Sequence, residues 1–261
     1  MKSTSSYLET ENLHIGYKKG DQRNILFDSL NVKLYGGEMV CFMGPNGAGK
    51  STLIRTLAGL QKPLKGSVKI SIGNELSKQI AVVLTDRVAA NVTAEELITF
   101  GRYPYVNWQV KLSERDHQII NDAVDQVQIR SLLNKPISEL SDGQMQMVMI
   151  ARALAQETPI ILLDEPTAHL DLNNRLEVMK LLKSISRRMN KAVLISTHEL
   201  DLALQTADKI WLTDNKGKIL MGIPEEGGSR MSVRISTTTG IVIDIPLVSG
   251  KNIRHVRDLN L

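Results

Sequence analysis

Two hydrophobic rhythms divide the chain. Leu8 to Tyr17 and Ile25 to Leu34 partly alternate apolar and polar residues, turn at Gly36-Gly37 and lead into Met39 to Phe42. That continuous apolar run suits a strand buried on both faces. A Gly-rich loop follows, then a helical pattern over Thr52 to Leu60 and strands at Val68 to Ile72 and Ile80 to Leu84. The middle changes period. Thr93-Ala94-Glu95-Glu96 is a capping box that starts a helix. A second helix begins at Ser113 and carries Ile119, Ile120, Ala123, Val124 and Val127 at helical spacing; a third spans Gly143 to Gln156. Strands at Ile160 to Leu163, Ala192 to Ser196 and Lys209 to Leu212 then alternate with a helix over Leu172 to Arg188, for which Asp171 is the N-cap. This order predicts an α/β fold with a parallel sheet, interrupted by a helical insertion at about 93–156. From Asn215 onward short strands and Gly-rich turns remain, and Arg234-Ile235 through Ile243-Asp244-Ile245 reads as a hairpin around Thr239-Gly240.

Composition narrows the class without choosing a function. A chain of 261 residues has room for one large or two small domains, and 42% hydrophobic with 23% charged residues excludes a disordered or collagen-like protein. The +4 charge, from 32 basic and 28 acidic residues interspersed, is compatible with nucleotide, anionic lipid or nucleic acid alike. The apolar runs Met39 to Met43, Ile80 to Leu84 and Met147 to Ala151 are about a quarter of the roughly 20 residues a membrane helix needs. Met1 to Ser6 has no apolar stretch of the kind a secretory signal carries, which predicts a cytosolic chain. The single Cys41 lies inside an apolar run and reads as a small core residue.

Gly44-Pro45-Asn46-Gly47-Ala48-Gly49-Lys50-Ser51 carries the first chemistry. Its glycines let backbone N–H groups turn inward around phosphate oxygens, and the following helix adds its positive end. Lys50 neutralises the β and γ phosphates and Ser51 offers a hydroxyl to Mg²⁺. The spacing of the glycines is not that of a dinucleotide fingerprint. The second centre is Ile160-Ile161-Leu162-Leu163-Asp164-Glu165, an apolar strand ending in two acids. Asp164 is the expected metal residue, and Glu165 the expected base or water-positioning group for attack on a γ-phosphate.

Leu140-Ser141-Asp142-Gly143-Gln144 stands just ahead of the third helix and 23 residues before Asp164, counted from Ser141. It closely resembles the signature sequence of ABC-type ATPases, and the resemblance covers about residues 8 to 222. In that family's terms Tyr17 fits the adenine-stacking aromatic, Gly44 to Thr52 the Walker A loop, and Ile160 to Glu165 the Walker B strand. Leu170-Asp171 fits the D-loop, and Thr197-His198 the switch histidine. The resemblance implies a P-loop NTPase fold with a RecA-like core, an antiparallel β subdomain and an inserted helical signature subdomain. The expected division is an ATPase domain over 1–224 and a short β-rich extension over 225–261. It further implies ATP and Mg²⁺ as ligands and a nucleotide-sandwich homodimer in which Ser141, Gly143 and Gln144 of one protomer close on the γ-phosphate held by Lys50 of its partner. His198 would hold the attacking water with Glu165.

Two positions depart from the family pattern. Relatives carry a metal-reaching glutamine where Thr85 stands, so Thr85 is expected to meet Mg²⁺ directly or through a water. Asp142 replaces a signature glycine and is expected to cap the helix while facing away from the ligand. Met145 and Met147 stand where relatives often carry polar residues. Gly101-Arg102-Tyr103-Pro104-Tyr105 and Thr197 to Ala203 resemble ATPase subunits of importers for iron-siderophores, haem and cobalamin, with Arg102 and its tyrosines read as an interface patch. An importer subunit of this kind works at the cytoplasmic face of the membrane, with separate permease subunits and a substrate-binding protein, and without nucleic acid. A soluble ABC ATPase would need a long coiled-coil insertion or a second cassette, and neither is present. A weakly hydrolysing nucleotide switch is motivated by Thr85 and Asp142 and opposed by Glu165 and His198.

Overall fold

The computed structural model describes the chain except residues 1–4, 21, 74, 86–89, 107–110, 214–216, 228–229, 237–241 and 248–261. Its centre is strand β4 (Met39–Met43). Pleating sends Val40 and Phe42 into one core and Met39, Cys41 and Met43 into another, which is why all five positions are apolar. The Cys41 thiol is fully enclosed there, and burial pushes its pKa up to about 12, so it is inert packing. With β6 (Ile80–Val83), β7 (Ile160–Asp164), β8 (Ala192–Thr197) and β9 (Lys209–Thr213) it forms a parallel sheet of spatial order β9-β4-β8-β7-β6. All five carboxyl ends therefore open on the same edge, where α/β sheets place their ligands.

One face of this sheet is covered by helix α1 (Lys50–Leu57) and by a smaller antiparallel sheet of β1 (Leu8–Lys19), β2 (Gln22–Leu30), β3 (Lys33–Leu34) and β5 (Lys65–Ile70). Phe42 joins the layers, its ring centroid 6.0 Å from Phe27 and 6.5 Å from Trp211. Full burial of each such ring contributes about 1.5–3 kcal/mol. β5 starts and ends earlier than the alternation predicts, and α1 begins at Lys50 rather than Thr52. The helix can start so early because Gly49 adopts the left-handed conformation at its N-cap, with φ 91°.

The other face carries α5 (Leu172–Arg188), the short α6 (Leu200–Thr206) and the insertion, α2 (Ala94–Thr99), α3 (Glu114–Val127) and α4 (Asp142–Ala155). Reciprocal capping boxes at Thr93/Glu96, Ser113/Asp116 and Ser141/Gln144 start the three insertion helices. The cap of α4 is thus Ser141 with Gln144; Asp142, expected to cap, lies in the first turn.

Arg102 also corrects the sequence reading. It is buried, not part of an interface patch. Its Nε donates to Asp116 Oδ1 at 2.8 Å, and its Nη1 donates to the Ala155 carbonyl at 2.8 Å and to Glu157 Oε2 at 2.9 Å. The Tyr105 ring covers it at 4.1 Å. Next to it, Gln156 donates to the carbonyls of Ser77 and Ile80, so the end of α4 is tied to the core sheet as well as to the insertion. Met145 and Met147 are partly buried against the core, which accounts for their apolar character.

Beyond β9 the large sheet continues antiparallel through β10 (Ile219–Gly227), β11 (Arg230–Ser236) and β12 (Val242–Leu247). β11 and β12 pair as a hairpin with Ile235 opposite Ile243; its turn, Thr239-Gly240, lies outside the described residues. The boundary expected after residue 224 falls inside β10.

Candidate active site

The carboxyl ends of four adjacent strands deliver the polar side chains. β4 runs directly into the loop Gly44-Pro45-Asn46-Gly47-Ala48-Gly49, which turns through positive φ at Gly47 (80°) and Gly49 (91°). At Gly49 an added Cβ would come within 2.9 Å of the Phe27 ring, so backbone conformation and space both demand glycine. Lys50 and Ser51 open α1. The Lys50 side chain is buried and curls back over the loop, donating to the carbonyls of Gly44 at 3.0 Å and Pro45 at 3.2 Å.

From β7 come Asp164 and Glu165. Lys50 Nζ lies 3.6 Å from Glu165 Oε1, and His198 Nδ1, just past β8, lies 3.7 Å from Glu165 Oε2. The Glu165 carboxylate thus sits between an ammonium and an imidazole, and its backbone is held at φ 46°. Such a left-handed conformation at a non-glycine residue persists only where neighbours impose it. The neighbour is Ser196, fully buried at the end of β8. Its hydroxyl donates to Asp164 Oδ1 at 2.5 Å and accepts the Glu165 N–H at 2.9 Å. One hydroxyl therefore fixes both acids. Sequence reasoning missed Ser196; the only available signal was a hydroxyl directly following the apolar run Ala192 to Ile195.

Thr85 lies beside this group. Its hydroxyl donates to the Asp164 main-chain carbonyl at 3.1 Å and keeps its lone pairs to accept from a ligand water. Tyr17 is 52% exposed, and its hydroxyl lies 2.8 Å from Thr52 Oγ1 in the helix that follows the loop. The donor set of Ser51 hydroxyl and Asp164 carboxylate, with further oxygens to come from phosphate and water, suits a small hard cation such as Mg²⁺.

Ser141, Gly143 and Gln144 lie elsewhere. Ser141 Oγ accepts the Gln144 N–H and Gln144 Oε1 accepts the Ser141 N–H, both at 3.2 Å. Among the described residues no hydrogen bond or ion pair joins them to Lys50, Glu165 or His198. Gly143 is helical, and a Cβ added there would meet Asn174 and Leu170 at an ordinary 3.6 Å. Asp171 caps α5, its carboxylate accepting from Asn174 N and Asn174 Nδ2 at 2.9 and 2.7 Å. The adjoining Leu172 is 73% exposed.

Comparison with known proteins fits this geometry. Residues 27–168 match the family model described as ABC transporter. An uncharacterised ABC transporter ATP-binding protein of Methanocaldococcus jannaschii is 41% identical over 226 residues, 84% of this chain and 77% of the relative. The petrobactin import ATP-binding protein of Bacillus anthracis is 34% identical over 265 residues, 95% of this chain and 96% of the relative. Among solved structures, a metal-chelate type ABC transporter in an inward-facing conformation superposes with a TM-score of 0.76 at 26% identity, covering 94% of this chain and 99% of that one. A loop that cradles phosphates, an acid pair beyond it and a chain-wide match to these proteins lead to one assignment: the chain belongs to the ABC transporter family, as one of its ATP-binding ATPases.

Proposed function

We propose that the chain is the ATP-hydrolysing subunit of a membrane importer that drives uptake of a metal chelate, working as an ATP-closed homodimer beneath separate permease subunits fed by a substrate-binding protein. The observation that carries the reading is the convergence of Lys50, Asp164, Glu165 and His198 on one sheet edge. The relative named for petrobactin import and the neighbour named for metal chelates support the substrate class. Haem and cobalamin, which the sequence resemblance also allowed, gain no support from these two.

The roles follow from the geometry. Residues Gly44 to Thr52 wrap the phosphates with backbone N–H groups, and Lys50 exchanges its loop carbonyls for β and γ oxygens. Tyr17 stacks on the adenine. Ser51 and Asp164 would hold Mg²⁺, with Thr85 beside them, and the ion would neutralise developing phosphate charge. Glu165 accepts a hydrogen bond or proton from the attacking water, and His198 steadies both that water and the γ-phosphate. Water's oxygen bonds to the γ-phosphorus as the bond to the bridging oxygen breaks, releasing ADP and phosphate.

Ser141 and Gly143 supply the second half. The fold leaves room for a Cβ at Gly143, and its absence leaves the backbone there open to close approach from outside. The Ser141 hydroxyl, although it accepts inside its capping box, keeps its proton to donate. With the positive end of α4 this makes an anion site that a partner's γ-phosphate fills, and Leu172 and Asp171 lie on the same outward surface. Among the described residues no helix is long and apolar enough to cross a membrane, so on this reading the chain is peripheral and the permease supplies the path.

The test is ATP turnover of the chain alone and with its co-purified membrane partner. The expected result is Mg²⁺-dependent phosphate release that rises with the partner. No turnover in either state overturns the reading and favours the nucleotide switch.

A further inference from the structure

Three outward or catalytic segments meet at the first turn of α5, and one side chain there touches two of them. Arg175 Nε donates to the Leu170 carbonyl at 2.6 Å, and Arg175 Nη1 lies 2.8 Å from Glu199 Oε1. Glu199 directly follows His198, its side chain is 11% exposed, and among the described residues neither carboxylate oxygen has a hydrogen-bond partner, so the Arg175 ion pair is its compensation. The Glu199 N–H is itself held by Thr197 Oγ1 at 3.1 Å, and its carbonyl accepts the Ala203 N–H at 3.1 Å. The loop on either side of His198 is therefore steered by where the Glu199 carboxylate sits. On the other arm, Leu170 and Asn174 are the side chains nearest Gly143, so the 170–174 turn packs against the start of α4.

We propose that Arg175 is a positioning residue that couples the Ser141/Gly143 surface to His198, so that closure on one nucleotide places the histidine at the other. The inference rests on the function proposed above. Its physical basis is the planar guanidinium fork, which holds two fixed acceptors at once in a way a single ammonium does not. Removing Arg175 leaves the nearly buried Glu199 carboxylate without compensation, and removing the Glu199 charge leaves Arg175 on Leu170 alone; either change frees the His198 loop while the phosphate loop, about Lys50, is untouched.

The experiment is steady-state ATP hydrolysis by the full chain carrying Arg175→Ala, Arg175→Lys, Glu199→Gln, and Arg175→Ala with Glu199→Gln, beside equilibrium binding of a fluorescent ATP analogue. The expected result is a fall in kcat of about tenfold or more for Arg175→Ala and for Glu199→Gln, with KM and analogue affinity within about twofold. The double variant should be no slower than the worse single one, because both break the same link, and Arg175→Lys should recover part of the rate. Should Arg175→Ala fail to fold, the isosteric Glu199→Gln and the Arg175→Lys chain decide in the same way. Rate losses that multiply in the double variant, or single variants that turn over at the unmodified rate, overturn the proposal while leaving the function reading intact. An unmodified chain that hydrolyses no ATP removes both.

Discussion

The Lys50 half of the site and the Ser141 half are built on opposite terms. Around Lys50 the ammonium, Asp164 and Ser196 are buried and Glu165 is half-buried, and they are already engaged: the ammonium on Gly44 and Pro45, Glu165 between Lys50 and the exposed His198, Asp164 on Ser196. Around Ser141 they are exposed, and the capping box leaves a hydroxyl proton and a bare helix start facing outward. The two glycines make the same point. Gly49 is required by its own chain, through φ 91° and the Phe27 ring 2.9 Å away, whereas Gly143 has helical backbone and room for a methyl group. The fold itself accounts for Gly49, whereas for Gly143 the proposed closure of a second copy on ATP supplies the reason.

The largest expected effect comes from opening the insertion that carries the Ser141 half. Arg102, with Asp116, Ala155 and Glu157, sits where the insertion that carries Ser141 meets the end of α4, and Gln156 beside it reaches the core. Breaking a buried pair from one side costs about 3–5 kcal/mol, so Arg102→Met should lower the denaturant midpoint sharply. The loss has a pH signature. Burial alone would raise the Asp116 carboxyl, but hydrogen bonds from Ser113 and the Arg102 guanidinium take it down to about 2. A depressed carboxyl stabilises fully above its unfolded value and loses that contribution as the pH falls through its folded one. The gap between Arg102→Met and the unmodified chain should therefore be complete at neutral pH and narrow as the pH falls from about 4 toward 2, by the share of the depression that Arg102 rather than Ser113 supplies. A gap that stays constant over this range would assign the loss to packing instead.

Next in size is the glycine pair. Gly49→Ala should cost about 1–3 kcal/mol from backbone strain alone and weaken nucleotide binding. Gly143→Ala should leave thermal stability unchanged or raise it by up to about 1 kcal/mol, since alanine is the better helix residue. Comparable destabilisation by both would erase the distinction between the halves. Smallest of all is Thr85→Gln, which should leave ATP affinity unchanged, because Thr85 holds only a main-chain carbonyl of Asp164. Complete loss of binding there would mean that Thr85 is not the counterpart of the family's glutamine.

Much of this was legible in the residues. Met39 to Met43 suits a doubly buried strand, and the capping box at Thr93 needs nothing beyond local hydrogen bonding; the boxes at Ser113, closed by Asp116, and at Ser141, closed by Gln144, emerge only in the structure. The members of the phosphate loop and of the acid pair are adjacent in sequence and were found. What stayed hidden were contacts made across the chain. Arg102 looked like a surface residue because its partners stand 14 and 55 positions away. Ser196 looked like a strand residue because its role exists only once β7 and β8 are side by side, 32 positions apart at Asp164. Helix α6, seven residues long, carries too few turns for periodicity to separate it from the strand before it.

The central claim, that the site is completed only by a second copy closing on ATP, is tested most directly by light scattering of Glu165→Gln protein with and without ATP, alone and combined with Gly143→Ala. Loss of Glu165 should slow hydrolysis about 10²- to 10⁴-fold, trapping the closed state. The account predicts that ATP doubles the mass of the Glu165→Gln chain, and that adding Gly143→Ala keeps it monomeric while it still binds ATP. Mass doubling that persists with Gly143→Ala, or that occurs without ATP, would contradict it.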